Sequence, residues 1–270
     1  MQNEAKETLE TMSLGDHLEA LRQTLLRIAA VIVLFSAIIF CFKEETFSLL
    51  LAPKEYDFIT FRAIEQAAAW LASLTGQAES FHFEPYHIDL ISTELSAQFM
   101  MHLSSSIALG ALLSSPYILY EICKFVSPAL YANERRYSTM VTLCSYLLFV
   151  VGVLMTYFLL FPISFRFLGT YQVDASVQNV ITLDSYISTF ITLTLSMGLV
   201  FQLPLLSWLM AKFGLLKAEF MAKYRKHALL LILILSAIIT PPDIFTLILV
   251  SIPLYALYEA CIVIVRRNQR

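Results

Sequence analysis

Six stretches of the chain are almost free of charge and long enough, or nearly so, to cross a bilayer: residues 25–42, 97–121, 139–166, 185–211, 227–240 and 244–265. A hydrocarbon core about 30 Å thick takes about 20 helical residues, each rising about 1.5 Å. Polar, turn-rich segments lie between these runs and carry nearly all the charge. The pattern predicts an all-α membrane protein of six transmembrane helices, one integral membrane domain over residues 1–270. The first 24 residues are polar and lack the basic start and early apolar core of a cleavable secretory signal, so the first run is expected to remain as a true span.

Two segments depart from a plain span-and-loop pattern. Residues 43–96, between the first two runs, form an extended segment holding FITFRAIEQAAAWLASL, in which Phe61, Ile64, Ala68, Leu71 and Leu74 recur at helical spacing. That spacing predicts an amphipathic helix lying on the membrane surface or capping the bundle. The fifth run, HALLLILILSAIIT, offers only about 21 Å of helix. TPPD then forces a reversal, because Pro241 and Pro242 cannot continue a helix. Either the hairpin is short and must thin the bilayer or shelter against its neighbours, or the span begins earlier, with Tyr224 and His227 at the interface.

Composition settles the class. Hydrophobic residues make up 58% of the chain, charged residues 14%, and the mean hydropathy is +0.71; soluble domains average about 45–50% and about 25%. Where the charges fall matters more than the net charge of −3. With the N-terminus in the cytoplasm, fourteen of the 18 Lys and Arg collect on the inner side, leaving Lys43, Lys54, Arg62 and Arg166 outside. The excess of basic residues inside therefore predicts both termini cytoplasmic and 43–96 as an extracytoplasmic cap. Cys41, Cys123, Cys144 and Cys261 lack the paired spacing of a zinc site or disulfide framework and are expected to be buried, inert thiols. No nucleophile, phosphate-loop, dinucleotide or metalloprotease motif is present, so neither an enzyme nor a cofactor, metal or nucleic-acid site is expected.

Polar groups inside the spans are costly and face partners or cavities. Gln202, followed by Pro204, makes a helix–helix hydrogen bond or faces a ligand, with two donors and an acceptor to satisfy. Glu259 is expected to pair with Arg266 or Arg267, Glu121 with Lys124, and His102 to be a structural hydrogen-bonding residue. Glu134 stands apart, on the cytoplasmic surface in FVSPALYANERR. Ser127–Pro128 supplies a turn, Asn133 a helix cap, and Glu134 a carboxylate at a helix start. As a ligand-binding group it would select a guanidinium through paired hydrogen bonds.

FVSPALYANERR closely resembles the first cytoplasmic loop of the TatC family, the multispanning core subunits of the twin-arginine protein translocase. HLEALRQTLLR before the first span, SSPYILYEI ending the second and TPPDIF between the fifth and sixth agree in order and topology. The resemblance runs from about Ser13 to Arg267. It implies a receptor and scaffold that binds twin-arginine signal peptides of folded cargo in the bacterial cytoplasmic (inner) membrane, driven by the proton-motive force. It also implies single-span TatA-type and TatB-type partners, further copies of the chain, and surrounding membrane lipid.

Carried over position by position, the resemblance assigns signal-peptide binding to Glu134 and Phe125. Pro128, Leu130, Tyr131, Arg135 and Arg136 shape the loop, with the two arginines anchoring it. Gln202 is the polar residue of the groove, Thr240 a partner contact, and Pro241, Pro242 and Asp243 the outer turn. One position departs: the family pattern HLxELR is HLEALR here, with Ala20 where a second carboxylate stands. Glu19, one residue earlier and about 100° around a helix, is the candidate to substitute for it in signal-peptide binding. A solute transporter or a purely structural scaffold would also explain six spans, but the scaffold leaves the Glu134 loop unexplained.

Overall fold

The computed structural model describes residues 14–75, 83–126, 138–174, 176–177 and 179–269. Helix α1 (Leu14–Cys41) bends at Phe42 into α2 (Lys43–Leu51), followed by a short 3-10 turn and α3 (Ile59–Thr75). The second span is α4 (Ala97–Val126), unbroken by Pro116. The third is α5 (Ser138–Met155), a π-helical turn over 156–160, and α6 (Phe161–Thr170). Next come α7 (Leu183–Val200) and α8 (Leu203–Lys212), the short α9 (Ala218–Lys223), α10 (Arg225–Ile239) and α11 (Ile244–Asn268). Two-residue strands β1 (Leu90–Ile91) and β2 (Ile181–Thr182) pair in parallel, a small addition to the all-helical expectation.

Among the described residues, five helical stretches are long and apolar enough to cross a membrane: Leu18–Cys41, Ala97–Phe125, Met140–Thr170, Leu183–Lys212 and Ile244–Asn268. The remaining predicted run forms α10, which starts at Arg225 and has 15 residues. That is about 22 Å of helix, still short of a full hydrocarbon core.

Helices α1 and α4 pack antiparallel along their length. The contact is close because Gly110 faces Ser36: a Cβ there would collide with the Ser36 hydroxyl and come within 2.8 Å of its backbone nitrogen. Without a hydrophobic drive between helices in lipid, such small-residue contacts let dispersion hold them together. The principal core lies between α6, α7, α10 and α11, where Phe161, Phe165, Tyr186 and Phe190 meet edge-to-face at ring separations of 4.9–5.0 Å. A smaller core of Ala211, Ala218, Met221, Cys261, Ile262 and Val265 joins α8, α9 and α11 at the other end.

Segment 43–96 is fastened to the bundle. The Tyr157 and Tyr186 hydroxyls donate to the carbonyls of Leu49 and Leu50, each at 2.9 Å. The Thr60 hydroxyl donates to the Phe158 carbonyl, and within the segment the Phe83 amide donates to Glu65 at 2.7 Å. The predicted amphipathic helix exists as α3, but only its start is buried: Phe61 is 2% exposed, whereas Leu71 and Leu74 are exposed. Arg166 on α6 lies over Phe61, Phe83 and Tyr86, its guanidinium carbon 5.2, 4.4 and 4.7 Å from the ring centres. It also donates to the Glu84 carbonyl at 3.0 Å. Burial pushes the Tyr86 hydroxyl up to about 12, against the opposing pull of Arg166.

Several local expectations change. Cys41 and Cys144 are exposed at the surface of the chain and only Cys261 is fully buried; all four are free thiols. His102 is buried but stacks on Phe40 at 4.2 Å, and its Nε2 has no hydrogen-bond partner among the described residues. Glu259 pairs with Arg225, not with Arg266 or Arg267, through two bonds of 2.7 and 2.8 Å. The α10–α11 hairpin places these residues together, 34 positions apart in sequence. Glu121 faces α1, where Arg27 stands 3.8 Å away, and accepts from the Tyr117 hydroxyl of its own helix at 3.2 Å. Lys124 turns instead over the Tyr120 ring.

Candidate functional site

Three places carry the residues singled out in the sequence. The first is the end of the α1–α4 pair. Because the two helices are antiparallel, with Arg27 beside Glu121, Glu19 near the start of α1 and Phe125 near the end of α4 share one end of the bundle. Phe125 is half-buried. Glu19 is exposed and turned along its own helix, accepting from Arg22 and Gln23, each at 3.2 Å. Pairs of this i,i+3 and i,i+4 kind on an exposed face are worth only about 0.2–0.5 kcal/mol, so Glu19 is readily released. Segment 127–137, with Pro128, Leu130, Tyr131, Glu134, Arg135 and Arg136, lies outside the described residues. By connectivity it joins the end of α4 to the start of α5.

The second place is the break in the fourth span. Pro204 has no N–H to offer, and the chain turns over Phe201 and Gln202 between α7 and α8. Gln202 is half-buried there and engages α5 twice: the Ser145 hydroxyl donates to its Oε1 at 2.6 Å, and its Nε2 donates to the Ser145 carbonyl at 3.1 Å. Of the two roles left open by the sequence, the helix–helix hydrogen bond is the one formed. Ser145 lies 57 residues away and had no sequence signal tying it to Gln202.

The third is the TPPD turn. Pro241 pushes the residue before it out of helical backbone, and Thr240 is extended at φ −93°, ψ 158°. Its hydroxyl donates back to the Ser236 carbonyl at 2.9 Å, and the residue is 7% exposed. Asp243 begins α11 by accepting from the Thr246 amide at 2.6 Å, and its own amide donates to the Pro241 carbonyl at 2.7 Å. Thr240 thus closes one helix and Asp243 opens the next. The outward face of α10 is made by Leu230, Leu231, Ile234 and Ile238, all exposed.

These features define a multi-pass helical membrane protein with a kinked fourth span bridged by polar groups and a short final hairpin. Residues 16–253 match the family described as Sec-independent protein translocase protein (TatC), and the chain belongs to that family. It is 35% identical to the Sec-independent protein translocase protein TatC of Blattabacterium sp. subsp. Periplaneta americana, over 98% of this chain and 97% of that one. Its identity to TatC of Escherichia coli K12 is 30%, over 93% and 86%. A crystal structure of a twin-arginine translocase receptor, TatC, superposes with a TM-score of 0.73 at 28% identity, over 94% of this chain and 100% of that one. The chain is therefore a transmembrane component of a protein-transport complex, the Tat translocase.

Proposed function

We propose that this protein is the twin-arginine signal-peptide receptor and core scaffold of its translocase, acting on folded cargo and driven by the proton-motive force. The observation that carries the proposal is that Glu19 and Phe125 lie at the one end of the α1–α4 pair from which the Glu134 loop departs. A carboxylate in that loop suits a guanidinium pair, which it can hold by charge-assisted, two-pronged hydrogen bonds. The similar crystallised TatC is itself described as a twin-arginine translocase receptor. Glu19 supplies the second carboxylate in place of the one absent at Ala20, since its present bonds to Arg22 and Gln23 are surface contacts.

In this reading α10 completes six crossings, with both termini cytoplasmic in the bacterial inner membrane and segment 43–96 capping the outer side. The short α10–α11 hairpin leaves a thin flank where the exposed face of α10 meets a TatA-type or TatB-type single-span helix. Buried Thr240 shapes that flank from within. Arg135 and Arg136 hold the loop to the cytoplasmic surface.

Binding of a twin-arginine signal peptide to the purified protein tests the proposal, compared with a twin-lysine peptide and with Glu134→Ala. Arginine-selective binding that weakens at least about tenfold in the variant, as loss of a charge-assisted pair demands, supports the receptor role. Equal binding of both peptides, unchanged in Glu134→Ala, refutes it.

A further inference from the structure

Helix α1 is the least covered of the five membrane-length stretches: 6% of its most apolar window is buried, against 39–44% in the others. Its chief packing partner is α4, and three contacts mark the seam between them. At one end the Phe40 ring stacks on His102, with centroids 4.2 Å apart. In the middle Gly110 lies against Ser36, where a Cβ on the glycine would stand 2.8 Å from the serine nitrogen. At the other end Arg27 reaches Glu121, 3.8 Å away.

Beyond the close approach at Gly110 both helices run on as arms. Nine residues lead along α1 to Arg27 and eleven along α4 to Glu121, about 14 and about 16 Å. Glu19 lies a further eight residues along α1, about 12 Å, and Phe125 a further four along α4, about 6 Å. Pro116 weakens the α4 arm, since it offers no N–H to the carbonyl four residues back. Among the described residues, the polar side-chain contact joining these arms is that of Arg27 with Glu121.

The pair is unequal. The Glu121 side chain is 6% exposed and that of Arg27 is 51%. A buried carboxylate needs a cation or donors, and Glu121 has Arg27 together with the Tyr117 hydroxyl. The α1 arm therefore cannot swing away without leaving that carboxylate buried and unpaired. The Glu19–Arg22 contact is different in kind, because its carboxylate is half-exposed and can turn to water. Losing one member of a buried pair is far more disruptive than replacing both by apolar residues of similar size.

We propose that Arg27 and Glu121 are positioning residues: their pair fixes the separation of the α1 and α4 ends and so sets the spacing of Glu19 and Phe125 that a bound signal peptide meets. Neither side chain touches the peptide. The consequence for binding rests on the receptor assignment, whereas the spacing of the two ends does not.

The test is the distance between spin labels, measured by double electron–electron resonance on the full chain in nanodiscs. The labels sit on cysteines replacing Leu18 and Ile122, both exposed, in a cysteine-free background. The native pair is expected to give one narrow distribution. Arg27→Met, which leaves the Glu121 carboxylate unpaired, is expected to lengthen and broaden it. Arg27→Met with Glu121→Leu is expected to restore it, because an apolar pair leaves no charge in the seam. Affinity for a twin-arginine signal peptide, read on unlabelled protein, is expected to follow: about fivefold weaker in Arg27→Met and recovered in the double variant. Should Arg27→Met fail to fold, Glu121→Leu alone is read in its place; it leaves the half-exposed Arg27 to water and is expected to loosen the arms to a smaller degree. Unchanged distances in the single variants overturn the clasp. Changed distances with unchanged affinity overturn its part in setting the site. Affinity still lost in the double variant, with the distance restored, would make Glu121 a contact of the peptide and overturn the positioning role. If the unaltered protein shows no arginine-selective binding, the receptor assignment fails while the distances still decide the clasp.

Discussion

Gln202 and Ser145 form one unit, and substitution of either member alone should show it. An interhelical polar contact in a membrane protein is worth about 0.6–2 kcal/mol, so Gln202→Leu should lower thermal stability by an amount in that range. Ser145→Ala should remove the hydroxyl bond but leave the carbonyl one, a smaller loss. Because the two share a contact, the double variant should be less destabilised than the sum, by a double-mutant cycle in detergent. Strict additivity would mean that the pair does not bridge α5 to the break. Asp243 makes the opposite case, a local role. As a helix cap its replacement by Ala should cost about 1 kcal/mol and expose the Thr246 amide to faster hydrogen exchange, while Asp243→Asn should keep most of the cap.

At the scale of elements, one charged side chain gathers the start of α3 and residues 83–86 of segment 43–96 onto α6. Arg166 stacks against three aromatic rings from α3 and from 83–86, and cation–π contacts contribute from about 0.5 to about 2 kcal/mol each as burial increases. Arg166→Leu should leave the six helical runs in place and release 83–91, seen as new protease cleavage there with little change in overall helicity. Lys in the same place should rescue only in part, since an ammonium cannot stack as a planar guanidinium does. Cleavage unchanged in both variants would mean that the hydroxyl bonds of Tyr157, Tyr186 and Thr60 are enough. The parallel pairing of Leu90 with Ile181 and Ile91 with Thr182 couples this segment to the connection between α6 and α7. Loosening the cap should therefore extend to residues 179–182.

At the scale of the whole molecule, the decisive question is whether the short α10 crosses the bilayer. In a cysteine-free background, a cysteine replacing Gln269 should react with an impermeant maleimide from the cytoplasmic side. One replacing Asn179 should react from the opposite side. Labelling of both from one side would overturn the six-crossing topology. The basic end, where Arg225 clasps Glu259 and Tyr258 donates to the Met221 carbonyl at 2.8 Å, closes α9, α10 and α11 into one corner. The opposite end is held by the aromatic core and segment 43–96. Between them the row Leu230, Leu231, Ile234 and Ile238 of α10 is exposed.

The amino-acid sequence by itself determined the membrane class, the places of the helices and the turn between α10 and α11, because these follow from local rules. Uncharged runs must be helical to satisfy their backbone in lipid, and Thr240–Pro241–Pro242–Asp243 can only end one helix and start another. Its motifs also identified the family. Only the tertiary structure decided which polar groups meet: Gln202 with Ser145, Glu259 with Arg225, Glu121 with Arg27, and Arg166 with its three rings. Each partner is distant in sequence, and the nearer alternatives, Lys124 for Glu121 and Arg266 or Arg267 for Glu259, had no local reason to lose. The choice belongs to helix packing, since a charge at the rim of the membrane goes to whichever neighbour the antiparallel fold brings alongside it.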